Sequence, residues 1–100
     1  MRSEGKVWRG GLIKLAVTPS PIPDEKNMRV GVIASRKVGS SVVRNRVRRR
    51  LREIVRKHQK EIIGGVWLVA IVSARAARAT YRELEDEWLR LTSRASILAP

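Results

Sequence analysis

The chain of 100 residues has no cysteine, no phenylalanine and a single histidine, His58. Disulfides and thiolate metal sites are therefore excluded, and one imidazole is too few for the usual structural zinc site. Acidic residues are also scarce, because nine Asp and Glu stand against 22 Lys and Arg. The formal net charge of +13 predicts an anionic partner, with nucleic acid as the usual candidate and an acidic membrane surface as the other.

Long apolar runs are missing as well. No stretch approaches the roughly 18 apolar residues that span a bilayer, and the first residues, MRSEGKVWRGG, lack the apolar centre of a secretory signal. We therefore expect a cytoplasmic protein. The length and the 43% hydrophobic content fit one compact domain over residues 1–100.

The periodicity of apolar residues predicts three strands and two helices in an α/β sandwich with a small mixed sheet. Alternation predicts strands over 11–17 and 29–35, while the almost wholly apolar 66–73 is typical of a strand covered on both faces. The proline-rich 18–28 predicts a loop. The helix over 41–61 connects the second and third strands, which are expected to run parallel through a right-handed crossover.

Both helices carry recognisable start signals. Ser40 or Ser41 is expected to cap the first helix, and TYRE predicts a capping box with Thr80 as N-cap and Glu83 at the third helical position. The last helix then places an apolar stripe on one side: Tyr81, Leu84, Trp88 and Leu91. Its acidic residues are interpreted as serving solubility or the helix dipole: Glu83, Glu85, Asp86 and Glu87.

The helix over 41–61 has two chemically different faces. At 100° per residue, an arc of roughly 120° collects the core-facing side chains: Val43, Val47, Leu51, Ile54, Val55, His58 and Ile62. The remaining arc is mostly cationic: Arg46, Arg48, Arg49, Arg50, Arg52, Arg56, Lys57 and Lys60. Most charged helix faces are simply solvated. On this helix face, however, nearly all the charges are positive, and most belong to Arg rather than Lys. The positive charges also begin in the first helical turn, where cations oppose the helix dipole. These three features favour phosphate binding.

No motif supplies catalytic chemistry. The chain lacks GxxxxGK[ST], GxGxxG and HExxH, and it offers no plausible pair of nucleophile and base. His58 falls on the apolar arc, which favours a packed histidine over a general base. The residues alone indicate an RNA- or DNA-binding module without its own catalytic site, and a nucleoid or membrane-surface polycation stays open.

The stretch SRKVGSSVVRNRVRRRLRE, residues 35–53, resembles the signature of the bacterial ribonuclease P protein component. That signature has a Ser with two basic residues, then Gly, a small residue and Val, then R-N-R, two further basic residues and R-E or R-Q. The matching residues are Ser35, Arg36, Lys37, Gly39, Ser41, Val42, Arg44, Asn45, Arg46, Arg48, Arg49, Arg52 and Glu53. The strands and the last helix also fall where the family has equivalents.

The resemblance implies a subunit that binds a large catalytic RNA and assists removal of the 5′ leader from precursor tRNA. It places the Mg²⁺-dependent hydrolysis on the RNA, with no cofactor in the protein and neither DNA nor a membrane as partner. It implies contacts with the RNA subunit through Arg36, Lys37, Arg44, Asn45, Arg46, Arg48, Arg49 and Arg52. It implies a leader cleft on the first two strands, with candidates Ile13, Leu15, Arg29 and Ile33. A structural module that binds ribosomal RNA is the alternative.

The resemblance also brings two structural expectations. The R-N-R helix of the family lies in an unusual left-handed β-α-β crossover, against the general rule. The family usually begins with a further helix that carries basic residues and a Phe and forms one wall of the leader cleft. This chain starts near GKVWRGG, has no Phe, and offers Leu15 where an aromatic residue is common. We therefore expect that N-terminal helix to be absent from the given sequence, either because the protein is trimmed or because its start codon lies further upstream.

Overall fold

The described residues, 6–21 and 28–95 of the computed structural model, form a four-stranded sheet with two helices. The strands are β1 (Lys6–Arg9), β2 (Ile13–Pro19), β3 (Arg29–Ala34) and β4 (Val66–Val72). The helices are α1 (Ser41–Lys57) and α2 (Tyr81–Arg94), and 3-10 turns cover Arg36–Val38 (the 36–38 turn), Gln59–Glu61 and Ala74–Arg78 (the 74–78 turn). The predicted mixed α/β class is confirmed.

The strand order in the sheet is β1-β2-β4-β3. β2 pairs antiparallel with both β1 and β4, and β3 pairs parallel with β4. The predicted parallel pair is therefore confirmed, and α1 lies in the connection between its two strands. The left-handed crossover implied by the resemblance stays a prediction.

The core fills the space between one face of the sheet and the two helices. α1 buries Val47, Leu51 and Ile54 completely, each with 0% exposure, as its apolar arc predicted. α2 contributes the predicted stripe, with Leu84 and Trp88 fully buried. The sheet supplies alternate residues from its covered face: Ile13, Leu15, Ala34, Leu68, Ala70 and Val72.

The capping predictions are confirmed in both helices. The Ser40 hydroxyl accepts a hydrogen bond from the Val43 N–H at 3.4 Å at the start of α1. At the start of α2, Thr80 and Glu83 form a reciprocal capping box with distances of 3.1 and 2.8 Å. These bonds satisfy amide groups that a helix start otherwise leaves without partners.

Element boundaries differ from the sequence predictions in three places. β1 was not predicted, since four residues give too little alternation to distinguish a strand from a loop. α1 ends at Lys57 rather than at 61, because His58 leaves helical geometry and a 3-10 turn follows. β2 continues through Pro19 into the predicted loop. Residues 22–27 of that loop, and the expected absence of the family's N-terminal helix, lie outside the described residues.

Glu87 corrects the interpretation of the acidic residues in α2. Its side chain is buried, and one carboxylate oxygen accepts hydrogen bonds from the Leu12 N–H at 2.7 Å and the Ile13 N–H at 2.5 Å. The guanidinium of Arg90 lies 3.7 Å from its other oxygen. Glu87 therefore fixes the turn between β1 and β2 to α2, a long-range role that helix position alone does not reveal.

We expect Glu87→Gln to lower the free energy of unfolding by about 1.5–3 kcal/mol, because the Leu12 and Ile13 N–H groups exchange a charged acceptor for the weaker neutral amide oxygen of Gln. Gly10→Ala should also destabilise the domain, since an added Cβ would lie 2.5 Å from the Glu87 carboxylate and displace it. Urea unfolding measures both changes. Gly31→Ala is the matched control, because nothing lies within 4 Å of an added Cβ there. Equal stability of the Gly10 and Gly31 variants would contradict this role for Glu87.

Candidate nucleic-acid interface

The exposed face of α1 carries a groove lined by Asn45, Arg48, Arg49 and Arg52, with a volume of about 480 Å³. These residues lie three, four and seven positions apart, so successive helical turns bring them onto one side of α1. No carboxylate of the described residues forms a salt bridge with any of the three arginines. Their guanidinium groups are therefore available to an external anion.

Short polar neighbours orient the guanidinium groups at the start of α1. Arg48 donates to the Asn45 side-chain oxygen at 2.6 Å, and Arg44 donates to the Ser41 hydroxyl at 3.1 Å. Both bonds span three residues and therefore join consecutive helical turns. An arginine held in this way loses less conformational freedom when it binds a phosphate.

Arg46 and Arg50 face a different part of the molecule. Arg46 donates to the carbonyl of Ala77 at 3.2 Å, and Arg50 donates to the carbonyl of Ala79 at 3.2 Å. Arg46 was predicted as an RNA contact. Its side chain instead lies away from the groove and stabilises the 74–78 turn through its hydrogen bond to Ala77. The predicted contacts Arg36 and Lys37 are exposed in the 36–38 turn, which packs against α1.

Two of the four leader-cleft candidates are on the wrong face of the sheet. Ile13 and Leu15 are 1% and 0% exposed and pack into the core, so their side chains have no surface to offer a nucleic acid. The alternation of apolar and polar residues correctly separated the two faces of β2, but it did not show which of these faces the helices cover. Arg29 and Ile33 are exposed on the opposite face, and their place in a leader cleft stays a prediction.

That opposite face of the sheet carries no helix among the described elements, and we call it the open face. The pairing register places three rows of side chains on it: Arg9, Lys14, Ile71 and Ile33; Val7, Ala16, Val69 and Gly31; Thr18, Trp67 and Arg29. Arg29 lies over the Trp67 ring, 5.8 Å from its centroid. β4 was expected to be covered on both faces, so the half-exposed Trp67 was missed as a site residue.

His58 joins α1 to α2 through a small charged cluster. Its Nδ1 lies 2.9 Å from Glu61 Oε2 and its Nε2 lies 2.7 Å from Glu85 Oε2, while Lys57 Nζ lies 2.8 Å from the same Glu85 oxygen. Because both ring nitrogens face carboxylate oxygens, both act as donors in the charged imidazolium. This agrees with the prediction of a packed histidine.

The contacts in this cluster shift the pKa values of its members. Burial lowers the pKa of His58, but the hydrogen bonds to Glu61 and Glu85 raise it by more, so the net pKa is above 6.5. The hydrogen bond to Glu85 is the main reason that the pKa of Lys57 is raised. The same bond to Lys57, followed by that to His58, lowers the pKa of Glu85.

Two kinds of feature are absent from the described residues. No helix in the described ranges is long and apolar enough to cross a membrane. Within 6–21 and 28–95, no three His, Asp or Glu side chains are grouped so as to hold a metal ion.

The fold and the groove on α1 define a class of small α/β domains that present a cationic helix face beside a half-open sheet. A sequence model of the Ribonuclease P family matches residues 1–96, and the chain belongs to that family. The resemblance carried by residues 35–53 is therefore confirmed.

Individual relatives agree with this assignment. The chain is similar to the ribonuclease P protein component of Thermus scotoductus, with 35% identity over 95 residues, which are 95% of this chain and 54% of the relative. It is also similar to that of Roseiflexus castenholzii, with 33% identity over 99 residues, 98% of this chain and 79% of the relative. The chain thus spans about half the length of the Thermus relative.

Solved structures show the same fold. The RNase P protein of Staphylococcus aureus aligns with a TM-score of 0.82 at 19% identity, covering 95% of this chain and 84% of that chain. The RNase P protein of Thermotoga maritima aligns with a TM-score of 0.80 at 24% identity, covering 91% and 84%. The four-stranded sheet with its two packed helices is therefore an architecture that these proteins share.

We expect the free energy of unfolding to fall as the pH rises through the folded-state pKa of His58. A pKa above the unfolded value means that the ion pair stabilises the fold fully below about pH 6.5 and loses this contribution at higher pH. Urea unfolding between about pH 5.5 and 9 should show a steeper decline for the wild-type chain than for His58→Gln. The raised pKa of Lys57 and the lowered pKa of Glu85 place their titrations outside this window. Parallel profiles for the two proteins would contradict the assignment.

Proposed function

We propose that the chain is the protein subunit of the endoribonuclease ribonuclease P, which binds the catalytic RNA and assists removal of the 5′ leader from precursor tRNA. The observation that carries this proposal is the groove of Asn45, Arg48, Arg49 and Arg52 in a chain of the Ribonuclease P family. We place the Mg²⁺-dependent hydrolysis on the RNA, and the complex in the cytoplasm.

The groove suits a phosphate backbone for three physical reasons. A guanidinium group can donate two hydrogen bonds to the oxygens of one phosphate, whereas an ammonium group acts as a point charge. The helical geometry of α1 sets the spacing of the guanidinium groups. Packing of the opposite face of α1 against the sheet sets the position of the helix. If about five cations on the solvent-facing side of α1, the three of the groove included, each neutralise one phosphate, log K should fall with log salt with a slope of about −3.5 to −4.5.

The open face supports a contact with the unpaired leader. Trp67 offers an aromatic surface, and stacking of a single-stranded base on an aromatic side chain contributes roughly 1–3 kcal/mol. Arg29 lies over that ring, and Arg9 and Lys14 add positive charge to the row beside Ile33. A sheet face that combines apolar and cationic side chains can contact bases and phosphates without base-specific hydrogen bonds.

A reconstituted cleavage reaction tests this function. Adding the protein to the matching RNA subunit at low Mg²⁺ should raise the rate of 5′ leader removal from precursor tRNA, because the protein's cations replace part of the metal-ion screening. Absence of any stimulation, together with co-purification of the chain with ribosomal subunits, would contradict the proposal and favour the structural alternative.

Two double variants test which cations are responsible for the stimulation of cleavage. Arg48→Ala/Arg49→Ala removes two cations of the groove, so stimulation should require a higher protein concentration and the salt slope should fall by about 1.4–1.8. Lys6→Ala/Arg94→Ala removes the same charge from exposed positions on β1 and α2 and is the matched control. Equal losses in the two variants would show that total charge, not the groove, governs binding.

A further inference from the structure

One end of the sheet gathers elements that the groove does not use. Because β3 and β4 are parallel, their carboxyl ends meet at the same edge, with Ala34 opposite Val72. The 36–38 turn follows β3 and the 74–78 turn follows β4, and the two turns pack against each other. α1 also begins here, so its positive dipole end lies at the same edge.

The 74–78 turn is firmly held in place. Arg46 and Arg50 donate to the carbonyls of Ala77 and Ala79 from the side of α1. At the other end of the turn, the Ser73 N–H donates to the Leu12 carbonyl at 2.8 Å and the Ser73 hydroxyl donates to the Gly11 carbonyl at 2.8 Å. A segment anchored at both ends presents its outward side chains from a fixed backbone.

The inward and outward sides of the 74–78 turn differ in chemistry. Ala76 is 0% exposed and packs into the core, whereas Arg75 and Arg78 are exposed. The Arg75 side chain reaches the turn between β1 and β2, where its Nη1 would lie 3.7 Å from a Cβ added at Gly11. The small alanines let the backbone approach α1 and leave the arginines as the outward groups.

Nothing in the described part of the chain neutralises the charge at this end. Arg36, Lys37, Arg75 and Arg78 form no salt bridge with any described carboxylate. The acidic group that reaches the nearby turn, Glu87, is buried and already accepts hydrogen bonds from Leu12 and Ile13. Four exposed cations beside a helix N-terminus repel one another, so protein stability alone gives no reason to gather them.

We propose that Arg75 and Arg78 form a second phosphate-binding surface, together with Arg36 and Lys37, that contacts folded RNA in the ribonuclease P complex. We call these four residues the end patch. The proposal rests on the proposed function and adds the 74–78 turn to the groove on α1. The phosphates can belong to the RNA subunit or to the precursor tRNA, which share the same backbone chemistry.

The test compares Arg75→Ala/Arg78→Ala with the control Lys6→Ala/Arg94→Ala, which removes equal charge from exposed positions elsewhere. Affinity for the RNA subunit alone is measured at several salt concentrations, and affinity of the reconstituted complex for precursor tRNA is measured separately. We expect at least a tenfold loss for the end-patch variant in one of the two assays, a salt slope smaller by about 1.4–1.8, and a change within twofold for the control.

The two assays identify the source of the phosphates. A loss confined to the RNA subunit assigns the end patch to that RNA, and a loss confined to precursor tRNA assigns it to the substrate. Arg75→Lys/Arg78→Lys should recover the salt slope, because it keeps the charges, and this separates lost contacts from a distorted turn. End-patch and control variants that behave alike in both assays would overturn the proposal.

The groove variant Arg48→Ala/Arg49→Ala keeps the two proposals distinguishable. If it weakens RNA binding while the end-patch variant matches the control, the proposed function stands and the end patch is wrong. If neither variant differs from the control, binding by a specific surface of α1 is contradicted as well.

Discussion

The structure depends on the burial of one face of α1 against the sheet. Val47, Leu51 and Ile54 are fully buried, and they fix both the position of the helix and its rotation about its own axis. The same rotation turns the arginines of the groove to the opposite side. Packing energy therefore orients the cations before any partner arrives, so less ordering remains for the binding step.

The few acidic residues reinforce this separation of charge. Glu61 and Glu85 pair with His58 at the end of α1, Glu83 caps α2, and Glu87 is buried under the turn between β1 and β2. Each of these carboxylates stabilises a junction within the fold. The groove and the end patch consequently carry positive charge that the described residues do not neutralise, and a polyanion can supply that neutralisation.

Local patterns in the sequence were sufficient for much of the fold. The two-sided periodicity of α1, the capping box at Thr80 and the parallel strands around α1 all rest on neighbouring residues or on chain order. The errors arose where tertiary contacts decide. Alternation could not say which face of β2 the helices cover, so Leu15 was assigned to the surface, and no local signal marks Glu87 as the buried partner of a turn 75 residues away.

We propose that the groove on α1 contacts the RNA subunit directly, and site-directed cleavage tests this contact. Because the chain has no cysteine, Arg49→Cys offers a single attachment point for an iron chelate that produces hydroxyl radicals. The chelate on α1 should cut the RNA subunit at a few clustered nucleotides, whereas one attached through Ser93→Cys on α2 should give only background cleavage. Indistinguishable cleavage from the two positions would contradict a direct contact between the groove and the RNA subunit.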